Sequence, residues 1–284
     1  MDFYIDSALY IVSTPIGNLA DMTFRAITVL KSVQVIAAED TRHSQILLSH
    51  YHIHTPCISL HEYNEATRLE KIISRLRDKK SIALISDAGT PLISDPGFKL
   101  VRAVREANFP VIPIPGACAS IAALVASGLP TDRFIFEGFL PVKSTALEKR
   151  LSTFKTETRT MIFYESAHRI VDTLQSMKKI FGADRVAVIA KELTKSFETI
   201  EQNCLATLCE WITADPYRQK GEFVILLQGS TLDRDHSDHI KQTLTILLRE
   251  LPLKQAVSLT CRLTHANKKM VYTMALSIHN QLAS

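Results

Sequence analysis

The chain has 284 residues, 46% of them hydrophobic and 22% charged; that length suggests about two domains, and that balance excludes a disordered or fibrous chain. The formal net charge of +4 is a mild excess that permits an RNA partner without demanding one. Five cysteines are dispersed with no C-x-x-C pair, which excludes a zinc knuckle or thioredoxin-like motif and fits a reducing cytosol better than a disulfide framework.

The opening MDFYIDSALY carries acids where a secretory signal would carry positive charge, so a cytoplasmic location is expected. In chain order, residues 9–13 (LYIVS) read as a strand, 23–31 as a helix and 33–38 (VQVIAA) as a second strand. Helical patterns follow at 43–50 and 64–78, then a buried strand at 81–86 (SIALIS), a helix near 98–107 and a strand at 111–114. This alternation predicts an α/β layer with a largely parallel sheet. The stretch 107–131 carries no charge, but Pro110, Pro113, Pro115, Gly116, Gly128 and Pro130 punctuate it. Only 117–127 is left as a helix, too short to span a bilayer, so no membrane partner is expected.

After Gly138 the run FLPVKSTALEKR reads as a loop or exposed flap, whose Lys143, Lys149, Arg150 and Lys155 form either an RNA surface or a solvated face. Strands are predicted at 160–164, 185–190 and 222–228, with helices between. Residues 230–238 (STLDRDHSD) read as a linker. Beyond it the pattern is helical to the end, with six Lys and Arg against three Asp and Glu from Asp235 onward. That spacing suggests a tri-helical, helix-turn-helix-like piece or a plain helical cap. The expected organisation is an α/β domain at 1–138, a second at 139–230 and a small helical domain at 236–284.

No two of the nine glycines are spaced i, i+2, so a G-x-G-x-x-G loop is absent, as is a Walker A loop. No dense ligand cluster supports a metal, and the G-x-S-x-G elbow is missing. What the chain offers instead is a set of Gly/Pro turns directly after apolar strands: Thr14-Pro15-Ile16-Gly17-Asn18, Asp87-Ala88-Gly89-Thr90-Pro91 and Pro115-Gly116-Ala117-Cys118-Ala119. Each alone is an ordinary βα turn. Three in one parallel sheet favour a ligand cleft, because such sheets bind ligands at the carboxyl ends of their strands.

Together TPIGNLADMT, AAEDTRHS, SDAGTPLISDPG, PIPGACAS, FEGFLP, IFYESAHRI, KELTKSFE and KGEFVILLQG resemble the tetrapyrrole (corrin/porphyrin) methylase superfamily, and within it the bacterial branch that methylates small-subunit ribosomal RNA. The resemblance runs from about Leu9 to Gly229. It implies two α/β domains with S-adenosylmethionine in the cleft between them, a homodimer, and 2'-O-methylation of a cytidine ribose in the decoding region of 16S rRNA within the 30S subunit. By motif position it implies that Pro15 and Ile16 line the cofactor pocket and that Asp87, Ala88, Gly89, Thr90 and Ile93 hold its ribose and amino-acid portions. Cys118 and Ala119 occupy a turn where many relatives have Ser or Thr followed by Ala, so Cys118 departs from the pattern. Tyr164 and Glu165 correspond to a second-domain strand end facing the cofactor, and Leu193 to the loop that follows.

A ribose hydroxyl is a poor acid, so the reaction needs a group to take its proton. Glu39, Asp40, Glu165, Lys191 and Glu192 are the candidates, with Lys191-Glu192 favoured because a lysine beside a carboxylate either has its pKa lowered or orients a base; the alternative is a structural ion pair. Arg42, His43 and Arg169 are candidate contacts to RNA phosphates, although Arg42 equally suits pairing with Asp40 or Glu39 at a helix start. The rival readings are a methyltransferase of corrin or porphyrin precursors and a non-catalytic nucleic-acid-binding protein.

Overall fold

The computed structural model describes residues 7–61, 65–230 and 232–282. The first residues of the first predicted domain, the first residue of the helix predicted at 64–78, residue 231 of the predicted linker and the end of the tail lie outside the described residues.

The first sheet is parallel throughout. Its strands are β1 (Leu9–Val12), β2 (Val35–Ala38), β3 (Cys57–Ser59), β4 (Ile82–Ile85) and β5 (Val111–Ile114), in the order β3-β2-β4-β1-β5. β2 and β4 are buried at every position, as apolar runs without alternation should be when helices cover both faces. Successive side chains point to opposite sides: Tyr10 and Ile36 pack with Leu30 and Leu48 of α1 (Phe24–Ser32) and α2 (Thr41–His50). Leu9 and Leu84 pack on the other side, with Ile72 and Leu100 of α3 (Glu65–Arg77) and α4 (Phe98–Glu106). Helix α4 opens at Gly97, which has no side chain to cap it; the buried Glu65 carboxylate accepts the Leu100 N–H at 2.8 Å instead, satisfying a donor the helix leaves free.

The second sheet is mixed. β6 (Phe134–Phe139), β7 (Thr160–Ser166), β8 (Val186–Lys191), β9 (Thr199–Cys204) and β10 (Glu222–Leu227) lie in the order β6-β7-β10-β8-β9, with only β6 and β7 parallel. Helices α6 (Ser144–Ser152), α7 (Ile170–Phe181) and α8 (Leu205–Thr213) cover one face. The other face receives α5 (Ala119–Ala126), whose Ala123 and Leu124 pack against Ile162, Val188 and Val224. The helix that follows the last strand of the first sheet is therefore the joint between the two sheets.

Three differences from the sequence expectations have physical causes. The strand Phe134–Phe139 belongs wholly to the second sheet, whereas the expected boundary at residue 138 divides it. The flap holds helix α6, because Leu147 and Leu151, one turn apart, bury against the second core amid otherwise polar residues. β3 and β9 are edge strands, one of three residues and one polar, and neither shows the apolar run or clean alternation that marks a strand in sequence.

At the C-terminal end, α9 (Leu232–Glu250), α10 (Leu253–Thr264) and α11 (Lys268–Leu282) share a core of their own, built on Ile240, Leu244, Val257, Val271 and Ile278. α9 starts inside the stretch read as a linker, since neither Gly nor Pro interrupts Leu232–Glu250. Among the described residues no helix is long and apolar enough to cross a membrane, and no group of three or more His, Cys, Asp or Glu is placed to hold a metal.

Candidate active site

Strand order decides where the three Gly/Pro turns go. β4, β1 and β5 are neighbours and parallel, so the turns after them emerge side by side at one edge of the sheet. They are bonded to one another. Thr14 and Gly89 exchange backbone hydrogen bonds at 2.8 and 3.1 Å. The Thr90 hydroxyl donates to the Ala117 carbonyl at 3.0 Å, so in its 2.9 Å contact with Ser13 the serine is the donor. Gly89 sits at φ +82, and a Cβ there would stand 3.3 Å from Ile16 Cγ2; glycine keeps the turn relaxed and the cleft above it open.

Between these turns and the second sheet lies a cleft of about 330 Å³, within the range of small-molecule sites. Ile16, Ala88, Gly89, Thr90 and Ile93 wall it from below, with Cys118 and Ala119 at the start of α5. Tyr164, Glu165 and Leu193 face them from the second sheet, with Phe139 and Val224. The Tyr164 hydroxyl accepts the Ser120 N–H at 3.2 Å, and its ring meets Phe136 and Phe139 edge-on at 5.0 and 5.6 Å. Burial pushes the Tyr164 hydroxyl pKa up. The charged side chains in these walls, Asp95, Glu165 and Glu222, are all acidic. An apolar, acid-edged cleft without Lys or Arg suits a ligand bearing positive charge, such as a sulfonium with an amino-acid ammonium, and does not suit a phosphate.

Pro15 and Asp87 do not face this cleft. They wall a second one of about 270 Å³, together with His43, the buried Ser44 and Lys195. The two clefts share Ile16, Ala88 and Glu222 as a partition.

The residues singled out for proton transfer separate. Glu165 reaches the cleft wall, but one carboxylate oxygen accepts the Ser166 N–H at 2.8 Å and the other the Thr173 hydroxyl at 2.6 Å. Arg169 stands 3.5 Å from the second oxygen and donates to the Leu140 and Pro141 carbonyls; its guanidinium ties the loop after β6 to the end of β7 rather than projecting toward solvent. Lys191 is buried at the end of β8, and neither it nor Glu192 is among the residues that wall the cleft. Glu192 instead accepts from Lys195 at 2.8 Å and from the Glu222 N–H at 3.0 Å. Although its partial burial works the other way, the Lys195 hydrogen bond helps hold its pKa below the usual carboxylate value. The ion-pair alternative describes Glu192, with Lys195 as its partner in place of Lys191.

Arg42 pairs with Asp40 at 3.1 Å while remaining 91% exposed. Asp40 caps α2 by accepting the Arg42 N–H, and its hydrogen bonds from Arg42 lower its pKa to about 2. His43 walls the second cleft.

Asp95 is the wall residue that sequence reasoning passed over. Burial raises its pKa, with the Asp87 charge adding to the effect and a hydrogen bond from Ser86 opposing it. Burial likewise raises that of Glu39, helped by the charges of Asp95 and Asp87. The available signal was the S-D-P-G close of the central motif, a second Asp in a turn already marked as a ligand loop.

The family model of tetrapyrrole (corrin/porphyrin) methylases matches residues 8–209, and that of the RsmI C-terminal HTH domain matches 234–279. A ribosomal RNA small subunit methyltransferase I from Haemophilus influenzae is 50% identical over 273 residues, covering 95% of this chain and 96% of that protein. Its counterpart from Escherichia coli O157:H7 is 47% identical over 269 residues, covering 94% of each. Among solved structures, cobalt precorrin-4 methyltransferase, a cobalamin biosynthetic enzyme, superposes with a TM-score of 0.58 at 16% identity, over 78% of this chain and 95% of that one. The uroporphyrin-III C-methyltransferase of Thermus thermophilus, complexed with S-adenosylhomocysteine, does so at 0.53 and 17% identity, over 77% and 96%. By the share of its length matched and the identity to these relatives, the chain belongs to the tetrapyrrole methylase family and, within it, to the ribosomal RNA small subunit methyltransferase I group.

Proposed function

We propose that the protein transfers the methyl group of S-adenosylmethionine to the ribose 2'-hydroxyl of a cytidine in the decoding region of 16S rRNA, acting on the 30S subunit as a cytoplasmic homodimer. The observation that carries this reading is the pair of clefts divided by Ile16, Ala88 and Glu222. One is apolar and edged by acids, for a cationic cofactor; the other, lined by Pro15, His43, Asp87 and Lys195, adjoins it and offers room for the acceptor nucleotide. The names of the relatives supply the acceptor class, and the C-terminal helices a further surface for RNA.

When bound, S-adenosylmethionine supplies an electrophilic methyl on a positively charged sulfur. The chain's own residues provide position. Ile16, Ala88, Gly89, Thr90 and Ile93 would hold the cofactor from the first sheet, and Cys118, Ala119, Tyr164 and Leu193 from α5 and the second. Pro15 and Asp87 stand on the acceptor side of the partition. The Thr14–Gly89 and Ser13–Thr90–Ala117 bonds fix the walls relative to one another, so that two bound reactants meet without a further search in orientation. Glu165, held by Thr173 and Arg169, braces the end of β7.

The test is methyl transfer from labelled S-adenosylmethionine to 30S subunits from a strain lacking the endogenous enzyme, with naked 16S rRNA and a porphyrin precursor in parallel. Label in 30S RNA that maps to 2'-O-methylcytidine supports the reading. Label only in the small molecule refutes it, and sedimentation as a monomer refutes the homodimer.

A further inference from the structure

We propose that the second cleft takes the base of the acceptor nucleotide, turned out of its stack, and that the Ser44 hydroxyl and the Asp87 carboxylate read its polar edge as a cytosine; the proposal rests on the methyl-transfer reading above.

Ser44 lines that cleft at only 3% exposure, and its hydroxyl makes no hydrogen bond. A helical serine or threonine has a ready partner in the carbonyl four residues back. This chain uses it repeatedly: Thr28 donates to Phe24, Ser32 to Thr28, Ser152 to Glu148 and Thr264 to Thr260, at 2.7 to 2.9 Å. The Ser44 N–H reaches the Asp40 carbonyl at 3.0 Å, yet its hydroxyl does not turn there. A buried polar group without a partner is rare in a folded protein, and this one stands on a cleft wall. A polar ligand edge supplies what the protein withholds.

Asp87 lines the same cleft. Its Oδ1 accepts the Asp40 N–H at 3.0 Å, which ties it to the start of α2, one helical turn from Ser44. It has no ion-pair partner among the described residues. A hydroxyl donates or accepts, whereas an ionised carboxylate only accepts. Cytosine sets an amino donor next to a ring acceptor and satisfies both groups at once. Uracil puts a carbonyl where that amino group stands, against the carboxylate.

The remaining walls favour a base over a phosphate. Lys195 is the single lysine or arginine on them among the described residues, and Glu192 and Glu222 already engage it at 2.8 and 2.9 Å. Pro15, Ile16, Leu19, Ile46 and Leu47 offer apolar surface to the faces of a ring. Leu19 and Ile46 are 37% and 68% exposed, large apolar side chains that an occupant would cover. At about 270 Å³ the space suits one unstacked base. Its rim is held in place: the Tyr51 hydroxyl donates to the Leu19 carbonyl. Gly17 lets the Lys195 stem lie against the turn after β1, where a Cβ would stand 2.5 Å from its Cγ. A base seated here sets its ribose at the partition of Ile16, Ala88 and Glu222, beside the cofactor cleft.

The experiment uses 30S subunits reconstituted with 16S rRNA whose target residue is cytidine or uridine, and compares the parent with S44A, S44T and D87N. It reads kcat and KM for each subunit, S-adenosylhomocysteine affinity by calorimetry and the thermal midpoint of the free protein. S44A should lower kcat/KM for the cytidine subunit by about 10- to 100-fold, chiefly through KM, and S44T, which keeps the hydroxyl, should restore most of it. The S44A midpoint should equal or exceed the parent's, because the hydroxyl bonds nothing in the free protein. D87N, whose amide donates as well as accepts, should narrow the preference for cytidine over uridine by about 10-fold. Both S44A and D87N should bind S-adenosylhomocysteine as the parent does. Parental KM in S44A overturns the proposal, as does a lowered S44A midpoint, which marks a merely structural serine. So does a D87N protein with the parent's cytidine preference. An S-adenosylhomocysteine affinity that falls in step with the rate in either variant also overturns it, by placing that residue against the cofactor. A parent inert toward the cytidine subunit overturns the methyl-transfer reading itself, and this proposal with it.

Discussion

Thr173 shows how much of the site depends on single side chains behind it. Its hydroxyl donates to Glu165 at 2.6 Å in a fully enclosed setting. Thr173→Val keeps the shape and leaves a buried carboxylate oxygen one donor short; the expected cost is about 1–3 kcal/mol, read from urea unfolding. Gly89→Ala forces a Cβ into a positive-φ position beside Ile16, and a weaker S-adenosylhomocysteine affinity by calorimetry is the expected outcome. Away from the cleft, the Glu157 carboxylate is held by Arg159, whose hydrogen bond lowers its pKa from 4.5 to about 2. A depressed carboxylate contributes stability that is full above the unfolded pKa and is lost as pH falls through the folded one. The difference in urea midpoint between parent and Glu157→Gln should therefore be full at neutral pH and shrink from about 4.5 toward about 2. The pair is partly solvent-exposed, so the effect should be small and screened by salt. At this scale sequence spacing is a weak guide. Glu165 stands at a strand end and read as catalytic, yet Thr173 and Arg169, which decide its bonding, reach it only because α7 folds back under β7.

The element that matters most to the site is α5. Its residues were legible as a buried helix from the uncharged stretch punctuated by prolines, but which surface it would bury against was not. Leu124 is 3% exposed between the two halves of the molecule, and Leu124→Ala should destabilise by about 2–5 kcal/mol in thermal unfolding while loosening the cleft, because α5 carries Ala119 and Ser120 on the same segment. The strand pattern was readable where apolar runs are unbroken, as in β1, β4, β5 and β10. It failed at β3 and β9, whose place in the sheets is fixed by pairing with one neighbour and not by their own composition.

In the molecule as a whole, three cores follow one another along the chain: the parallel layer, the mixed sheet and the C-terminal helices. The last of these opens α11 with Lys268 and Lys269, both exposed, beneath an Asn267 cap that accepts the Lys269 N–H at 2.9 Å. Two cations at the positive end of a helix do not stabilise it, so their place there makes sense for an anionic partner. A K268E/K269E protein should show a raised KM for 30S subunits and a salt dependence shallower by about one unit of slope per lost phosphate contact. Its S-adenosylhomocysteine affinity should equal the parent's. Equal KM and salt slope in the two proteins would mean that the tail does not touch RNA.

What the sequence by itself determined is local: apolar strands, the Gly/Pro turns that end them, the absence of a phosphate loop, and a motif order specific enough to point to a family. These are properties of windows of a few residues, where backbone freedom and periodicity are written directly. The partition into two adjoining clefts, the separation of Pro15 and Asp87 from the other turn residues, the retirement of Glu192 into an ion pair and the emergence of Asp95 opposite Tyr164 were decided by tertiary structure. Each depends on strand order and on the packing of α5 across the second sheet, which bring together side chains from the turns after β1 and β4, from the start of α5 and from β7. Proximity between such distant positions is set by the burial of whole faces, and no single stretch of sequence encodes it.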